Sequence, residues 1–468
     1  MSRINTNVVS LIGQRVLNRN QIDLNRSLER LSTGLKINAG KDDPAGLIAS
    51  ENLRAEKTGL QAAIDNASRA SNVIGTAEGG LNEVSSLLTQ LQGLVSQAAN
   101  TGGLSPQEVA ANQLQVDAIL GTINRISSST SFQGLQLLNG NFDYLTAGVT
   151  ATEVGNLRVN SARVPDGASV NVLVNTVQSA RTAVVTYTGG AIPAGGATIQ
   201  VAGTFGAQQL SFASGTTASG IASAINAVKN ATGLSAQISG AALRINSVGF
   251  GSKAFTAVTT IAGTFVPSTN KIFGRDALVN VNGAAASSDG TKVSFRTADL
   301  DVEFDLRSLI NTDGAQSSFQ VTGGGATFAL GSKVTEGNKV SIGISSVSTG
   351  SLGDSDNGYL TTLGSGGTNS LASNSLVNSQ RIVDAAIKQV SSLRGRLGAF
   401  QKYTVQSTVN NLGVSLENAS AAESAIRDTD FAAETSALTR SQILTQAATT
   451  VLSQANSAPQ SVLSLLGR

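Results

Sequence analysis

Two strings of small apolar residues, each recurring every seven positions, run side by side from Leu53 to Ala98. One is Leu53, Leu60, Ala67, Ile74, Leu81, Leu88 and Val95. The other is Ala63, Ala70, Ala77, Val84, Leu91 and Ala98, with Glu56 breaking its start. Two apolar positions per heptad draw a seam down one face of a helix, and such a seam leaves water only by packing against other helices. Alanine at half of the seam lets backbones approach closely. At 1.5 Å per residue the predicted helix is roughly 70–80 Å long, a rod in search of partners.

Both ends of the chain carry helical stripes. Over Val8–Leu35 apolar residues fall at Leu24, Leu28, Leu31 and Leu35, until Gly34 and Asn38-Ala39-Gly40 interrupt the rhythm. Asp42 or Asp43 before Pro44 reads as a helix start, a capping carboxylate followed by a residue whose missing N–H costs nothing there. That helix carries the long seam and stops near Asn100-Thr101-Gly102-Gly103. Leu104 or Ser105, then Pro106, opens another, with Val109, Leu114, Ile119, Ile123 and Ile126 on it. Gln133-Gly134 to Asn139-Gly140 reads as a turn and short hairpin. Near the other end Ala386, Val390, Leu393, Leu397 and Phe400 form a stripe. After a one-residue phase slip it continues at Val405, Val409, Leu412, Leu416 and Ala419. Asp428-Thr429-Asp430 marks a break, and Ala437, Leu444, Ala448, Val451 and Ala455 belong to a last helix before Pro459. Matching stripes at both termini predict that the ends meet as an antiparallel bundle from which everything between hangs as an insertion.

The middle, roughly Leu145 to Ser370, follows a different rule. Apolar and polar residues alternate in Ala168–Val174, Ala197–Val201 and Lys292–Phe295, with turn signals at Asp166-Gly167, Asn282-Gly283 and Asp289-Gly290. One helix interrupts it, with Ile221, Ile225 and Val228 between Thr216-Thr217 and Thr232-Gly233. A hairpin of Leu234–Ile238 and Leu243–Ser247 follows, turning at Ser239-Gly240. The fold class predicted is therefore α+β: long coiled-coil helices from both termini in an antiparallel bundle, with a β-rich inserted outer region.

Composition narrows the function. Of 468 residues, 13% are charged and 4% aromatic, so the polar surface is built mostly of Ser, Thr, Asn and Gln. Fifty glycines suit flat β-structure with tight turns. The net charge of +2 comes without a basic tract and points to neither nucleic acid nor an anionic membrane. No run of about 18 apolar residues is present to span a bilayer, and Met1–Leu17 lacks the apolar core of a secretory signal. Zero Cys removes disulfides and thiolate chemistry, and zero His removes the commonest general base and metal ligand. Ser–His–Asp triads and zinc-peptidase sites are thereby excluded. No residue spacing singles out a Ser–Lys pair or carboxylate dyad, so no catalytic, cofactor or metal residues are assigned. The chain reads as a structural protein rather than an enzyme.

The residues around the breaks carry a resemblance. Arg30-Leu31-Ser32-Thr33-Gly34-Leu35-Lys36-Ile37-Asn38, then Lys41-Asp42-Asp43-Pro44-Ala45-Gly46, closely resembles the amino-terminal signature of bacterial flagellins, as does Ile4-Asn5-Thr6-Asn7. At the other end Asn410-Asn411-Leu412, Ala425–Ala432 with Glu434, Gln442-Ile443-Leu444 through Gln454-Ala455-Asn456, and Pro459–Leu466 resemble the carboxy-terminal motif. Thr216–Ser247 also resembles a small helix-plus-hairpin repeat of flagellins and hook-associated proteins.

The resemblance implies a filament subunit in three parts: inner-core helices at 1–43 plus 428–468, a helical rod with a short hairpin at 44–165 plus 371–427, and a β-rich outer insertion at 166–370, as two lobes. It implies an assembly core of Ile4, Leu11, Leu24, Leu28, Leu31, Leu35, Leu444, Val451, Leu463 and Leu466. The rod seam is Leu53, Leu60, Ile74, Leu81, Leu88 and Val95, with Leu412 and Leu416 from the far end. Its partners would be other copies of the chain, an export chaperone and a filament cap, with export through the flagellar type III apparatus to the cell exterior without a cleaved signal. The Ser and Thr residues of the insertion are candidate O-glycan acceptors. A hook–filament junction protein with flagellin-like ends is the alternative. Flagellins detected by the mammalian Toll-like receptor for flagellin carry an arginine, a leucine one turn on, and a glutamate on the next helix. Alignment through the motifs puts Gln90, Leu94 and Gln115 at those places, keeping the leucine and losing both charges.

Overall fold

The computed structural model describes residues 6–100, 103–165, 167–240, 242–373 and 375–466, with side chains as far as residue 458. Ile4, Thr101, Gly102 and Asp166, and the side chains of Leu463 and Leu466, lie outside the described residues. The chain forms two compact units: Met1–Ala67 with Leu330–Asn338 and Ser407–Arg468, and Ser68–Ala329 with Lys339–Gln406. Neither unit coincides with a part expected from the sequence. Leu330–Asn338, from within the expected outer insertion, belongs to the first unit, where the Ser332 carbonyl lies against Gly59.

In the first unit, helix α1 (Val8–Thr33) begins where Asn7 Oδ1 accepts from the Ser10 backbone N–H at 3.0 Å, and ends at Gly34, whose φ of +73° only glycine adopts freely. Asp42 and Asp43 divide the work at the next start. Asp42 accepts from the Asn38 and Ala39 backbone N–H groups at 3.2 and 2.9 Å, while Asp43 caps helix α2 (Pro44–Ala98) through Gly46 N–H at 2.9 Å. The backbone hydrogen bonds to Asp42 hold its carboxyl below the ordinary range.

The two chain breaks that the sequence marks lie together. The Lys36 N–H donates to the Arg427 carbonyl at 2.7 Å and the Thr429 N–H to the Gly34 carbonyl at 2.9 Å, which joins Leu35 and Asp428 in an antiparallel bridge. The second break separates the helix ending at Arg427 from another starting at Phe431, where Asp430 caps Ala432 and Ala433. That final helix runs through Pro459 to Leu466, so the expected stop at Pro459 is a correction. A proline inside a helix removes one i→i−4 donor and crowds the carbonyl four residues back, and here the helix continues past both.

In the second unit the seam of α2 is buried without a break from Ala70 through Ile74, Ala77, Leu81, Val84, Leu88, Leu91 and Val95 to Ala98. Helix α3 (Pro106–Ser129) opens with a reciprocal capping box between Ser105 and Glu108. Its buried face is Gln113, Val116, Leu120 and Ile123, so Leu114, placed on the stripe from sequence, is 68% exposed. The buried position belongs to Gln113 because its amide is fully used: Nε2 donates to the Leu363 carbonyl at 2.9 Å and Oε1 accepts from the Leu371 N–H at 2.8 Å.

The β-rich part is antiparallel throughout. In the first lobe a five-stranded sheet runs in the order Ala284–Ala285, Leu278–Val281, Val170–Gln178, Gln316–Gly324, Tyr144–Ala147. A four-stranded sheet runs Ser287–Asp289, Lys292–Arg296, Leu300–Leu306, Val154–Ala162. Val172, Val279, Val302, Phe304 and Phe319 lie in their shared core. A second lobe joins a three-stranded sheet with Ala242–Phe250 at its centre to a four-stranded one with Ala197–Gly203 and Phe255–Gly263 inside. Helix α4 (Ala218–Ala227) and the single turn α5 (Lys229–Thr232) complete it, with Ile221 and Ile225 in the core. The expected start of the outer region at residue 166 is corrected: Tyr144–Ala147 and Val154–Ala162 already belong to the first lobe's sheets, because their partners are Gln316–Gly324 and Leu300–Leu306.

Helix α6 (Leu376–Ala399) buries Ile382, Ala386, Val390, Leu393 and Leu397. Arg394 Nε to Glu78 Oε1 at 2.8 Å and Gln92 Nε2 to Asp384 Oδ1 at 3.0 Å tie it to α2. Phe400–Val405 is a π-helical turn, and helix α7 (Gln406–Arg427) continues from it. The extra residue of that turn is the phase slip read between Phe400 and Val405.

Candidate assembly surface of the terminal helices

Helix α1 and the last helix, α8 (Phe431–Leu466), pair antiparallel, as contacts at three levels show. Asn7 Nδ2 donates to the Ala455 carbonyl at 2.7 Å, Asn20 Nδ2 to the Leu444 carbonyl at 3.1 Å, and Arg30 meets Glu434 at 3.5 Å. What lies between them is small. Ser10, Gly13 and Ser27 are buried on α1, Ala448 and Ala455 on α8, and Leu17, Leu24, Leu31, Leu438 and Leu452 are half-buried at the alternate positions. A Cβ on Gly13 would meet the Leu452 side chain at 3.2 Å and its Cα at 3.7 Å, so the absence of a side chain there lets Leu452 lie against α1.

The larger apolar side chains turn the other way. Val8, Val9, Leu11, Ile12, Val16, Ile22 and Leu28 on α1 are exposed, as are Phe431, Ile443, Leu444 and Val451 on α8. Leu11 and Val451 are each 57% open to solvent. Soluble helices bury such residues, each worth about 1.5–3 kcal/mol when removed from water. Here the hairpin's own seam is filled by other residues, leaving these apolar side chains on the exterior.

The residues expected in the assembly core therefore divide. Leu24 and Leu31 lie on the inner seam of the pair, Leu35 is half-buried at the bridge, and Leu11, Leu28, Leu444 and Val451 are on the exterior. Sequence reading missed Asn7, Ser10, Gly13 and Ser27. The signal available was position: Ser10, Gly13, Leu17, Asn20, Leu24, Ser27 and Leu31 alternate at spacings of three and four, a heptad seam hidden because half its members are small or polar.

Of the rod residues, Leu60, Ile74, Leu81, Leu88 and Val95 are buried, and Leu53, Leu412 and Leu416 half-buried. In the first unit, Lys57 Nζ to Glu423 Oε2 at 2.7 Å and Arg427 Nη1 to Glu51 Oε1 at 3.2 Å join α2 to α7. Gln90 and Gln115 are exposed and Leu94 is half-buried.

Charge also gathers in the second unit, where Asp143, Arg158, Tyr359, Gln389 and Arg396 line a cavity of about 320 Å³. Arg396 donates to the Asn160 side-chain oxygen, and Asn160 Nδ2 donates to Asp301 Oδ1 at 2.9 Å. Asp305 accepts from Asn156 Nδ2 at 2.6 Å. Burial raises both the Asp143 and the Asp305 carboxyls. The Arg396–Asn160 bond tethers strand Val154–Ala162 to α6.

Comparison with known proteins follows the same division of the chain. The family model of the bacterial flagellin N-terminal helical region matches residues 4–143, and that of the C-terminal helical region matches residues 380–466. The chain is 31% identical over 466 residues to polar flagellin B/D of Vibrio parahaemolyticus, covering 99% of both chains. It is 32% identical over 530 residues to the B-type flagellin of Pseudomonas aeruginosa, again covering 99% of each. Among solved structures, FliC from Burkholderia pseudomallei is 16% identical with a TM-score of 0.25, covering 72% of this chain and 99% of that one. With helical ends that match the family models and relatives named flagellin along its whole length, the chain belongs to the bacterial flagellins and is a structural subunit of the flagellar filament.

Proposed function

We propose that α1 and α8 enter the filament as a hairpin whose exterior is covered by the same helices of neighbouring copies. The observation that carries this reading is the sorting of side chains: small and polar residues alternating with half-buried leucines between the two helices, Leu11, Ile12, Leu28, Leu444 and Val451 outside. Isolated helices are marginal in water, so these segments gain order when neighbours supply the missing face. Deleting Met1–Asn38 or Thr429–Arg468 should leave a soluble subunit with a folded β-rich part and no filaments, as judged by electron microscopy under salting-out conditions. Normal filaments from either truncation would refute the assignment.

The same reading extends to partners. The flagellin-like motifs at both ends support recognition by an export chaperone and by the filament cap. Exposed hydroxyls such as Ser211, Ser214 and Ser219 in the second lobe support O-glycosylation, which the intact mass of filament protein tests. The exposed amides Gln90 and Gln115 replace an arginine and a glutamate, and an amide does not reproduce a guanidinium fork. Signalling through the flagellin receptor should therefore be weak. A reporter-cell assay comparing the native chain with Gln90→Arg plus Gln115→Glu checks this, the double variant gaining response.

A further inference from the structure

The carbonyl of Ala455 is the acceptor that the backbone N–H of residue 459 would use in an unbroken helix. Residue 459 is proline and has no N–H, yet the helix continues to Leu466. That carbonyl receives the side-chain Nδ2 of Asn7 instead, at 2.7 Å and from 448 residues away. The other end of the same amide is also occupied: Asn7 Oδ1 accepts from the Ser10 N–H and caps α1. Next to it Ser10 Oγ donates to Asn456 Oδ1 at 2.7 Å, and both Ser10 and Ala455 are buried.

We propose that Asn7 is a positioning residue that supplies in trans the donor Pro459 lacks, and thereby fixes the register in which the two terminal helices pair for assembly. Elsewhere in the interior of α8 each carbonyl has a backbone N–H four residues on as its partner, so a slide of the neighbouring helix leaves none of those carbonyls without a donor. Only at Ala455 does the proline leave an acceptor vacant, and only one register brings Asn7 to it. Asn20 provides the contrast. It donates to the Leu444 carbonyl at 3.1 Å, but residue 448 is alanine and already offers its own N–H there. Small and polar residues at Ser10, Gly13, Ser27, Ala448 and Ala455 specify register weakly by shape, so a directional bond at one end of the seam has a task that packing leaves undone.

A double-mutant cycle on the full-length chain tests this, with the critical concentration for filament formation as the readout. Asn7→Asp keeps the oxygen that caps α1 and removes the donor. An orphaned buried acceptor costs on the order of a tenfold change in an equilibrium constant, so Asn7→Asp should raise the critical concentration about tenfold when residue 459 is proline. With Pro459→Ala the helix supplies its own N–H, and Asn7→Asp should then change it less than about threefold. Asn20→Asp should have the same effect in both backgrounds. Equal penalties for Asn7→Asp with and without Pro459 would overturn the proposal, because Pro459→Ala would then act only as a general helix stabiliser. If Asn7→Asp abolishes filaments outright, restoration by Pro459→Ala supports the proposal and continued failure overturns it.

Discussion

The carbonyl oxygen of Ser332 occupies the place where a side chain on Gly59 would have to go, 2.5 Å from the position of a Cβ. Glycine in a helix interior ordinarily costs about 0.5–1 kcal/mol relative to alanine. At Gly59 it is kept because a backbone, which cannot swing aside as a side chain does, lies against α2.

Two alanine substitutions in the same helix should therefore have opposite signs. Gly59→Ala should lower the thermal stability of the depolymerised subunit by about 1–3 kcal/mol, as an overpacked contact does. Gly79→Ala, where a Cβ meets nothing within 4 Å, should raise it by about 0.5–1 kcal/mol. Calorimetric melting of the two variants gives the comparison.

Leu88 and Ser211 distinguish core from surface. Leu88 is fully buried on the seam of α2, and Leu88→Asp should cost at least about 3 kcal/mol, since a carboxylate there has neither water nor a partner. Ser211 is exposed, and Ser211→Asp should change stability by less than about 0.5 kcal/mol. Equal melting points would remove the seam from the core.

Val451 separates folding from assembly. It is 57% exposed, so Val451→Asp should leave the melting of the isolated subunit unchanged within about 0.5 kcal/mol. Filament formation should fail, because the added charge would have to be buried between copies. Wild-type polymerisation by this variant would show that the exterior of α8 faces solvent in the filament.

The β-rich part should respond to pH through Asp305. Burial raises this carboxyl above the ordinary carboxylate range. The folded chain then holds a proton that the unfolded chain has released, so this group's contribution to stability grows as pH falls from neutrality towards that range. Asp305→Asn keeps an oxygen for the Asn156 amide and removes the charge. It should raise the melting temperature at neutral pH and reduce the gain on mild acidification. A pH series of melting curves reads both.

Much of this architecture is visible in local pattern because local pattern causes it. The seam from Leu60 to Ala98 is buried along its length, and the five-residue step from Phe400 to Val405 is a π-helical turn. Gln133-Gly134 and Asn282-Gly283 form turns with positive φ at both residues, a geometry few other pairs accept. What local pattern misses depends on partners far away in the chain. Pro459 does not stop α8, and the carbonyl four residues before it receives Asn7 from the far end of the chain. Strand Val154–Ala162 joins the lobe because Leu300–Leu306 lies beside it. Leu11 and Val451 carry helical periodicity like any core residue, and periodicity alone does not say whether the neighbour that covers them belongs to the same chain.

A hairpin with its largest apolar groups on the outside has no single melting temperature. Whatever covers Leu11, Leu28, Leu444 and Val451 binds the ordered form alone, so the stability of these helices rises with the logarithm of subunit concentration. Diluting the protein is then chemically equivalent to heating its ends, while the buried seam at Leu88 reports the same stability at every concentration.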